Sequence, residues 1–170
     1  AGATAGRLEA LGSRLAVDHR CDHATEALVD AIRRLHGDGC AMVMIAGASA
    51  ITDRRDVVPA AIERVGGRVD RFGMPVDPGN LLLLGRLADE TPVIGLPGCA
   101  RSPKRNGFDW VLERLLAGLA VGDDEIEAMG PGGLLKDIPS RPLPRADVAT
   151  AVAADVPTAP RIAGLVLAAG

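Results

Sequence analysis

Aromatic residues are nearly missing from this sequence, which has one Trp, two Phe and no Tyr among its 170 residues. Apolar residues still make up 48% of the chain, so the core has to be built from Ala, Val, Leu and Ile. This is a globular composition and not that of a disordered chain. The length suits one domain with a well-buried core, since domains typically span about 100–200 residues.

Cysteine clusters, long apolar runs and a large net charge are also missing. Cys21, Cys40 and Cys99 lie far apart, with no Cys-x-x-Cys or Cys/His cluster, which argues against a disulfide framework or a structural zinc and favours a reducing, cytoplasmic setting. No apolar run approaches the roughly 18–20 residues of a membrane helix, and no signal peptide is recognisable. A net charge of −3 gives no general attraction to nucleic acid or to an anionic membrane, so an anion site has to be local.

Apolar runs alternate with amphipathic helical patterns, which is typical of an α/β domain. The continuous run over 40–47 predicts a strand that is buried on both faces, and the apolar spacing over 58–65 predicts the helix that follows it. Two runs at 81–84 and 93–96 are separated by a short polar segment and predict an antiparallel pair. The clearest helical pattern covers 108–119. We expect a three-layer α/β/α fold with a mostly parallel mixed sheet.

The beginning and the end of the chain are interpreted from spacing and composition. Leu8, Leu11 and Leu15 lie at helical spacing and predict a first helix, and a short extended piece is expected at 16–21. Asp22 or Thr25 is expected to cap the second helix. Residues 1–121 are expected to form the domain. Residues 122–163 are rich in Gly, Pro and charge, as a surface tail or an interdomain linker would be. Because the first residue is not Met, we expect the chain to be an excerpt of a longer protein.

The first loop with ligand-binding features covers 47–56. Its small residues follow a buried strand and precede a helix, an arrangement that favours a phosphate. Asp53 and Asp56 would repel a phosphate unless a cation lies between them, so a real site implies Mg²⁺. Arg54 and Arg55 could contact phosphate oxygens, or they could form a solvated ion-pair cluster with the aspartates. A tight strand-to-helix turn without a ligand is the alternative.

The second loop, "GMPVDPGN" at 73–80, contains two prolines and two glycines. Its backbone is therefore nearly fixed and can shape a pocket at little entropic cost. A simple connection between strands, with Asp77 and Asn80 as turn residues, is the alternative.

The third loop turns sharply at Pro97-Gly98 and carries three cations, Arg101, Lys104 and Arg105, where the next helix begins. Cations are unfavourable near the positive end of a helix, so an anion bound among them would explain the cluster. Ser102 is one candidate cap of that helix. Asn106, with Asp109 as its capping-box partner, is the other.

Three stretches carry a resemblance to a known family: "MVMIAGASAITDRRDVVPAAI", "MPVDPGNLLLLGRL" and "PVIGLPGCARS". In this order they resemble the molybdopterin-binding domain of molybdopterin adenylyltransferases, molybdopterin molybdenumtransferases and competence/damage-inducible-type proteins, over residues 15–120. The resemblance implies a three-layer α/β fold, often oligomeric, that binds the phosphate of molybdopterin or of adenylylated molybdopterin, in some members with Mg²⁺. The expected partners are a pterin phosphate, a nucleotide and further copies of the chain.

The resemblance also assigns roles to residues. Asp22 and Asp56 stand where the adenylyltransferases have acidic residues and become the candidate catalytic residues. Asp53 and Asp56 are the candidate metal ligands because of their charge beside the expected phosphate. Ala48, Ser49 and Ala50 depart from the family's glycine or polar positions and restrict close approach of a phosphate, so binding is better supported than catalysis. The candidate cofactor-binding residues are Gly47, Ala48, Ser49, Arg54, Arg55, Pro78, Gly79, Asn80, Gly95, Pro97, Gly98, Arg101, Ser102 and Lys104.

Three functional hypotheses remain at this point. The first is binding of molybdopterin or its nucleotide-linked form in molybdenum-cofactor biosynthesis or modification. The second is Mg²⁺-dependent adenylyl transfer by this domain itself, and the third is an oligomerisation domain that has lost pterin binding. The terminal "LVLAAG" resembles the opening strand and glycine turn of nucleotidyltransferases, so residues 164–170 are interpreted as the start of such a domain.

Overall fold

The protein is an α/β domain whose sheet has helices on both faces. The computed structural model describes residues 2–48, 51, 53, 55–129 and 162–169. Within this part of the chain six strands form one sheet. They are β1 (Arg14–Asp22), β2 (Met42–Ala46), β3 (Arg68–Phe72), β4 (Leu83–Arg86), β5 (Pro92–Gly95) and β6 (Ile162–Ala169).

Five α-helices lie in the described part of the chain, and a single turn of 3₁₀ helix at Gly98–Arg101 precedes the fourth. None of these helices is both long enough and apolar enough to cross a bilayer. The helices are α1 (Gly2–Ala10), α2 (Thr25–Gly37), α3 (Val57–Arg64), α4 (Gly107–Leu116) and α5 (Asp123–Glu127).

The strand order is β1-β6-β2-β5-β4-β3. The neighbours β1 and β6, β6 and β2, and β2 and β5 run parallel. The neighbours β5 and β4, and β4 and β3, run antiparallel. The expected α/β fold with a mostly parallel mixed sheet is confirmed, including the antiparallel pair formed by the two apolar runs that follow residue 80.

Two aliphatic clusters fill the space between the sheet and its two helical layers. One joins the sheet to α1, α4 and α5, and the other joins it to α2 and α3. The position of β2 between the two clusters explains its continuously apolar sequence. Met42 and Met44 face the first cluster, while Val43 and Ile45 face the second. Burial on both faces is what a central parallel strand requires.

The N-terminal helix is shorter than its leucine spacing predicts. It ends at Ala10, and Gly12 follows with a φ of 70°, in the left-handed region that glycine adopts easily. Leu15 therefore belongs to β1, and the prediction of helix through Leu15 is wrong. The prediction that Asp22 or Thr25 caps the second helix is wrong as well, because β1 continues through Asp22, α2 begins at Thr25 and its N-cap is Ala24.

The last described segment lies inside the sheet. The sequence assigns 164–170 to the start of a further domain, whereas in the structure 162–169 form β6 between β1 and β2. Ala163 and Leu165 face the α4 side and Val166 and Ala168 face the α2 side, so the strand contributes to both cores. The predicted linker overlaps α5, whose Ile126 is fully buried, and its part at 130–161 lies outside the described residues.

Candidate functional site

The three loops singled out from the sequence lie at the same end of the sheet, where strands β2 and β5 finish and β4 begins. Loop 47–56 follows β2 and loop 96–106 follows β5, and these two strands are parallel neighbours. Loop 73–82 precedes β4, which runs antiparallel to β5, so that Leu83 pairs with Gly95 at the same edge. The carboxyl ends of the parallel strands and the start of β4 therefore present all three loops together.

The chain leaves β2 and β5 toward opposite faces of the sheet. After β2 it continues into α3, which packs with Val58 and Ile62 in the α2/α3 cluster. After β5 it continues into α4, which packs with Phe108 and Leu112 in the opposite cluster. Two adjacent parallel strands whose connections diverge in this way form a topological switch point, and the crevice outside it is where open α/β sheets bind ligands. The region outside the carboxyl ends of β2 and β5, between the loops that follow them, is thus the candidate ligand site, and we refer to this region as the crevice.

Hydrogen bonds join the loops across this edge. Nη2 of Arg101 donates to the carbonyl oxygen of Gly47 at 2.9 Å and links the third loop to the first. The backbone N–H of Gly107 donates to the carbonyl oxygen of Pro78 at 2.8 Å and links the second loop to the start of α4. A Cβ on Gly79 would come within 2.8 Å of the Gly107 nitrogen. The absence of a side chain at Gly79 is therefore explained by packing of the second loop against α4.

The start of α4 is capped by the protein's own side chains. Oδ1 of Asn106 accepts from the N–H of Phe108 at 3.1 Å, and Oδ2 of Asp109 accepts from the N–H of Asn106 at 2.7 Å. This confirms the capping box that the sequence offered as the alternative to Ser102. Ser102 instead accepts from the N–H of Lys104 at 3.2 Å, within the loop. Because Asn106 and Asp109 already serve this terminus, an anion in the crevice has to rely mainly on cationic side chains of the loop.

Arg7, which the sequence did not indicate, holds the third loop in place from α1. Its Nε donates to Oδ1 of Asp109 at 2.5 Å, and its Nη1 donates to the carbonyl oxygen of Ala100 at 2.8 Å. Its Nη2 donates to the carbonyl oxygens of Ser102 at 2.7 Å and Lys104 at 3.0 Å. Three carbonyl groups of the loop are thereby turned toward one buried guanidinium. No local pattern in the sequence could reveal this, since the loop lies more than ninety residues further along the chain.

Two of the three predicted loop cations have no carboxylate partner in the described part of the chain. The guanidinium of Arg101 is bonded to the Gly47 carbonyl, and the ammonium group of Lys104 has no described polar partner. Arg105 differs, because its Nη2 lies 2.8 Å from Oε2 of Glu113. Arg101 and Lys104 are therefore the cations that remain for an anion at the crevice.

The predicted acidic residues are spread along the edge. Asp22 ends β1, and because β6 lies between β1 and β2, it is about 10 Å to the side of β2 at the usual strand spacing. Oδ1 of Asp53 accepts from the N–H of Arg55 at 2.8 Å in a turn, and Asp56 precedes α3 without a side-chain capping bond. No three His, Cys, Asp or Glu residues in the described part of the chain group as metal ligands would. Mg²⁺ is usually held by one or two carboxylates together with substrate phosphates, so Asp53 and Asp56 stay predicted ligands of a Mg²⁺ ion that would bind with a phosphate.

Some of the remaining predicted binding residues are packed inside the protein, and others are exposed to solvent. Gly95 is required by packing, because a Cβ there would come within 2.5 Å of Cδ1 of Ile51 and 2.9 Å of Cβ of Leu83. Gly98 is exposed, and a Cβ there would meet no described atom within 4 Å. Pro97 is buried, whereas Ala48, Arg55 and Asn80 are exposed at the loops; Ser49 and Arg54 lie outside the described residues.

Cys99 sits in the 3₁₀ turn of the third loop. Burial raises the pKa of the Cys99 thiol above its ordinary value, and Asp109 and Asp77 act in the same direction, while Arg7 opposes them. A raised pKa leaves little thiolate at neutral pH, and the thiolate is the nucleophilic form. The site therefore does not activate Cys99.

The chain matches no known protein family, no curated protein and no solved structure. The fold and the site define its class: an α/β protein with a candidate ligand crevice at the switch point of a mixed sheet.

Proposed function

We propose that this domain binds molybdopterin, or its nucleotide-linked form, by the phosphate group, in the crevice between loops 47–56 and 96–106. The observation that carries the proposal is the bond from Arg101 to the Gly47 carbonyl across the switch point. It supports a site at which the third loop, held against the first by this bond, presents Arg101 and Lys104 to one anion. The resemblance of the loop sequences supplies the identity of the ligand.

Binding is favoured over chemistry by the arrangement of charges. Arg101 and Lys104 offer charge-assisted hydrogen bonds, which are the strong ones for a phosphate. Asp22 lies at the end of a strand two positions away from β2. Adenylyl transfer with Mg²⁺ needs acidic ligands gathered around the phosphate, so catalysis by Asp22, Asp53 and Asp56 stays the less supported hypothesis.

Titration of the protein with molybdopterin and with its adenylylated form tests the proposal directly. We expect saturable binding of at least one of them. Arg101→Ala and Lys104→Ala should each weaken it about tenfold or more, because each removes a hydrogen bond to a charged group worth about 1.5–3 kcal/mol.

Arg105→Ala is the matched control, since it removes a cation from the same loop that is already paired with Glu113. It should change the affinity much less than the other two variants. Absence of saturable binding by the folded parent protein would refute the proposal. Equal losses of affinity in all three variants would show that the phosphate does not bind at Arg101 and Lys104.

A further inference from the structure

Strand β1 ends the sheet on one side and leaves its outer backbone edge unpaired in the described part of the chain. The strand is nine residues long, which is long for an edge. Unpaired N–H and C=O groups along such a strand form a template for pairing with another strand.

The two faces of β1 carry different side chains. Leu15 pairs with Ala163 and Val17 with Gly164, so Ala16 is a bulge. Beyond the bulge, Val17 and Cys21 are half-buried against the α2/α3 cluster, and His19 lies on the same face. Asp18 and Arg20 are exposed on the opposite face, and neither has an ion-pair partner among the described residues.

We propose that a second copy of this chain pairs with β1, antiparallel and about a two-fold axis at His19. In this register Asp18 lies opposite the partner's Arg20, and Arg20 lies opposite the partner's Asp18. Both ion pairs fall on one face of the extended sheet. On the other face, Val17 lies opposite the partner's Cys21, so that an apolar side chain meets a thiol of similar size.

The charges of β1 distinguish this register from its neighbours. An axis at Asp18 puts that carboxylate opposite its own copy, and an axis at Arg20 puts Asp18 opposite the partner's Asp22. Directly opposed like charges destabilise a strand pair. A shift by a single residue opposes Val17 to the partner's Arg20, which places apolar and charged groups together.

Charged side chains ordinarily keep edge strands from pairing. On β1 the charges destabilise the neighbouring pairing registers and stabilise the register centred on His19. A closed, isologous dimer results, because the same strand contributes both halves of the interface and no free edge remains on that side.

Sedimentation of the full chain over a wide range of concentrations tests the dimer. The parent protein should associate reversibly into dimers. Asp18→Arg and Arg20→Asp each turn two attractive pairs into two repulsive ones and should raise the dimer dissociation constant about tenfold or more. The double variant Asp18→Arg/Arg20→Asp recreates both pairs with the charges exchanged and should restore the dimer.

Asp124→Arg is the control, because it makes the same change of charge on an exposed position of α5 and should leave dimerisation unchanged. Hydrogen exchange gives a second measurement: amides of residues 17–21 should exchange more slowly at high than at low protein concentration. A parent protein that stays monomeric, or a folded double variant that associates no better than the single ones, overturns the proposal.

Discussion

At the scale of single residues, Arg7 shows how a buried charge can organise a loop. Its side chain is 9% exposed and that of its partner Asp109 is 12% exposed. Burying such a pair is costly unless its donors and acceptors are satisfied. Arg7 donates to Asp109 and to four carbonyl oxygens, and Asp109 accepts a further bond from the N–H of Asn106. The pair thus joins α1, the third loop and the first turn of α4.

Arg7→Ala should destabilise the protein by about 3 kcal/mol or more, because it leaves a buried carboxylate and several carbonyl groups without their donor. Urea unfolding of the variant and the parent measures this. Arg68→Ala is the comparison: its side chain is 52% exposed, although it pairs with Asp70 and Glu90. Exposed pairs contribute little because solvent screens them, so Arg68→Ala should destabilise the protein much less than Arg7→Ala. Similar losses in the two variants would contradict the assignment of Arg7 as a buried support.

The capping box of α4 could be recognised in the sequence, whereas Arg7 could not. Asn106 and Asp109 are three residues apart, and a helix brings such neighbours together whatever the rest of the chain does. Arg7 meets Asp109 across 102 positions, a contact that exists only because α1 packs beside α4. The spacing of the residues involved therefore decides what could be predicted.

At the scale of elements, the start of α4 fixes where the third loop ends. Asn106 is 1% exposed, and its side chain also donates to the carbonyl oxygen of Lys104 at 3.1 Å. The cap therefore belongs to the helix and the loop at once. Arg101 ends the 3₁₀ turn at Gly98–Arg101, and Lys104 lies between that turn and the cap at Asn106.

Asn106→Ala should lower the free energy of unfolding by about 1–2 kcal/mol, as expected for loss of a buried N-cap. Ser102→Ala should change it by less than about 0.5 kcal/mol, since the Ser102 side chain bonds only within the loop and such substitutions usually have small effects. Thermal or urea unfolding distinguishes the two variants. The opposite ranking would make Ser102 the functional cap.

The first helix shows where periodicity misleads. Leu8, Leu11 and Leu15 fit one helical face, yet Leu8 is fully buried, Leu11 is exposed and Leu15 belongs to β1. Spacing alone cannot distinguish a longer helix from a helix followed by a strand that enters the same core. The left-handed Gly12 between them separates the two elements.

At the scale of the whole molecule, ion pairs hold the side of the sheet opposite to β1. Arg86 contacts Asp70 and Glu90 and also donates to the carbonyl oxygen of Val121 at 2.9 Å. Arg68 holds both oxygens of Glu90 at 2.7 Å. These bonds tie β3 and β4 to the turn that follows them and to the segment that leads into α5.

The pH dependence of stability follows from these pairs. Hydrogen bonding from Arg68 lowers the pKa of Glu90 from 4.5 to about 2, and hydrogen bonding from His36 lowers the pKa of Asp89 from 3.8 to about 2. A carboxyl whose pKa is depressed by folding stabilises the protein above its unfolded pKa and loses that contribution as the pH falls through the folded value. Unfolding measurements from pH 5 to about pH 2 should therefore show falling stability.

Glu90→Gln supplies the control for this effect. The variant should be less stable than the parent near neutral pH and should show a shallower fall in acid, because one of the depressed carboxyls has been removed. High salt should reduce the difference, since Glu90 and Arg68 are both exposed. An identical acid dependence in the two proteins would exclude Glu90 as a source of the effect.

Features that depend on near neighbours could be predicted from the sequence: the apolar strand within 40–47, the antiparallel pair, the capping box of α4 and the three loops that carry cations, prolines and small residues. The position of β6 between β1 and β2, the support of the third loop by Arg7 and the divergence of β2 and β5 at a switch point became apparent only in the folded chain. Periodicity and capping act over a few residues. Strand order and buried ion pairs depend instead on which distant surfaces exclude water together.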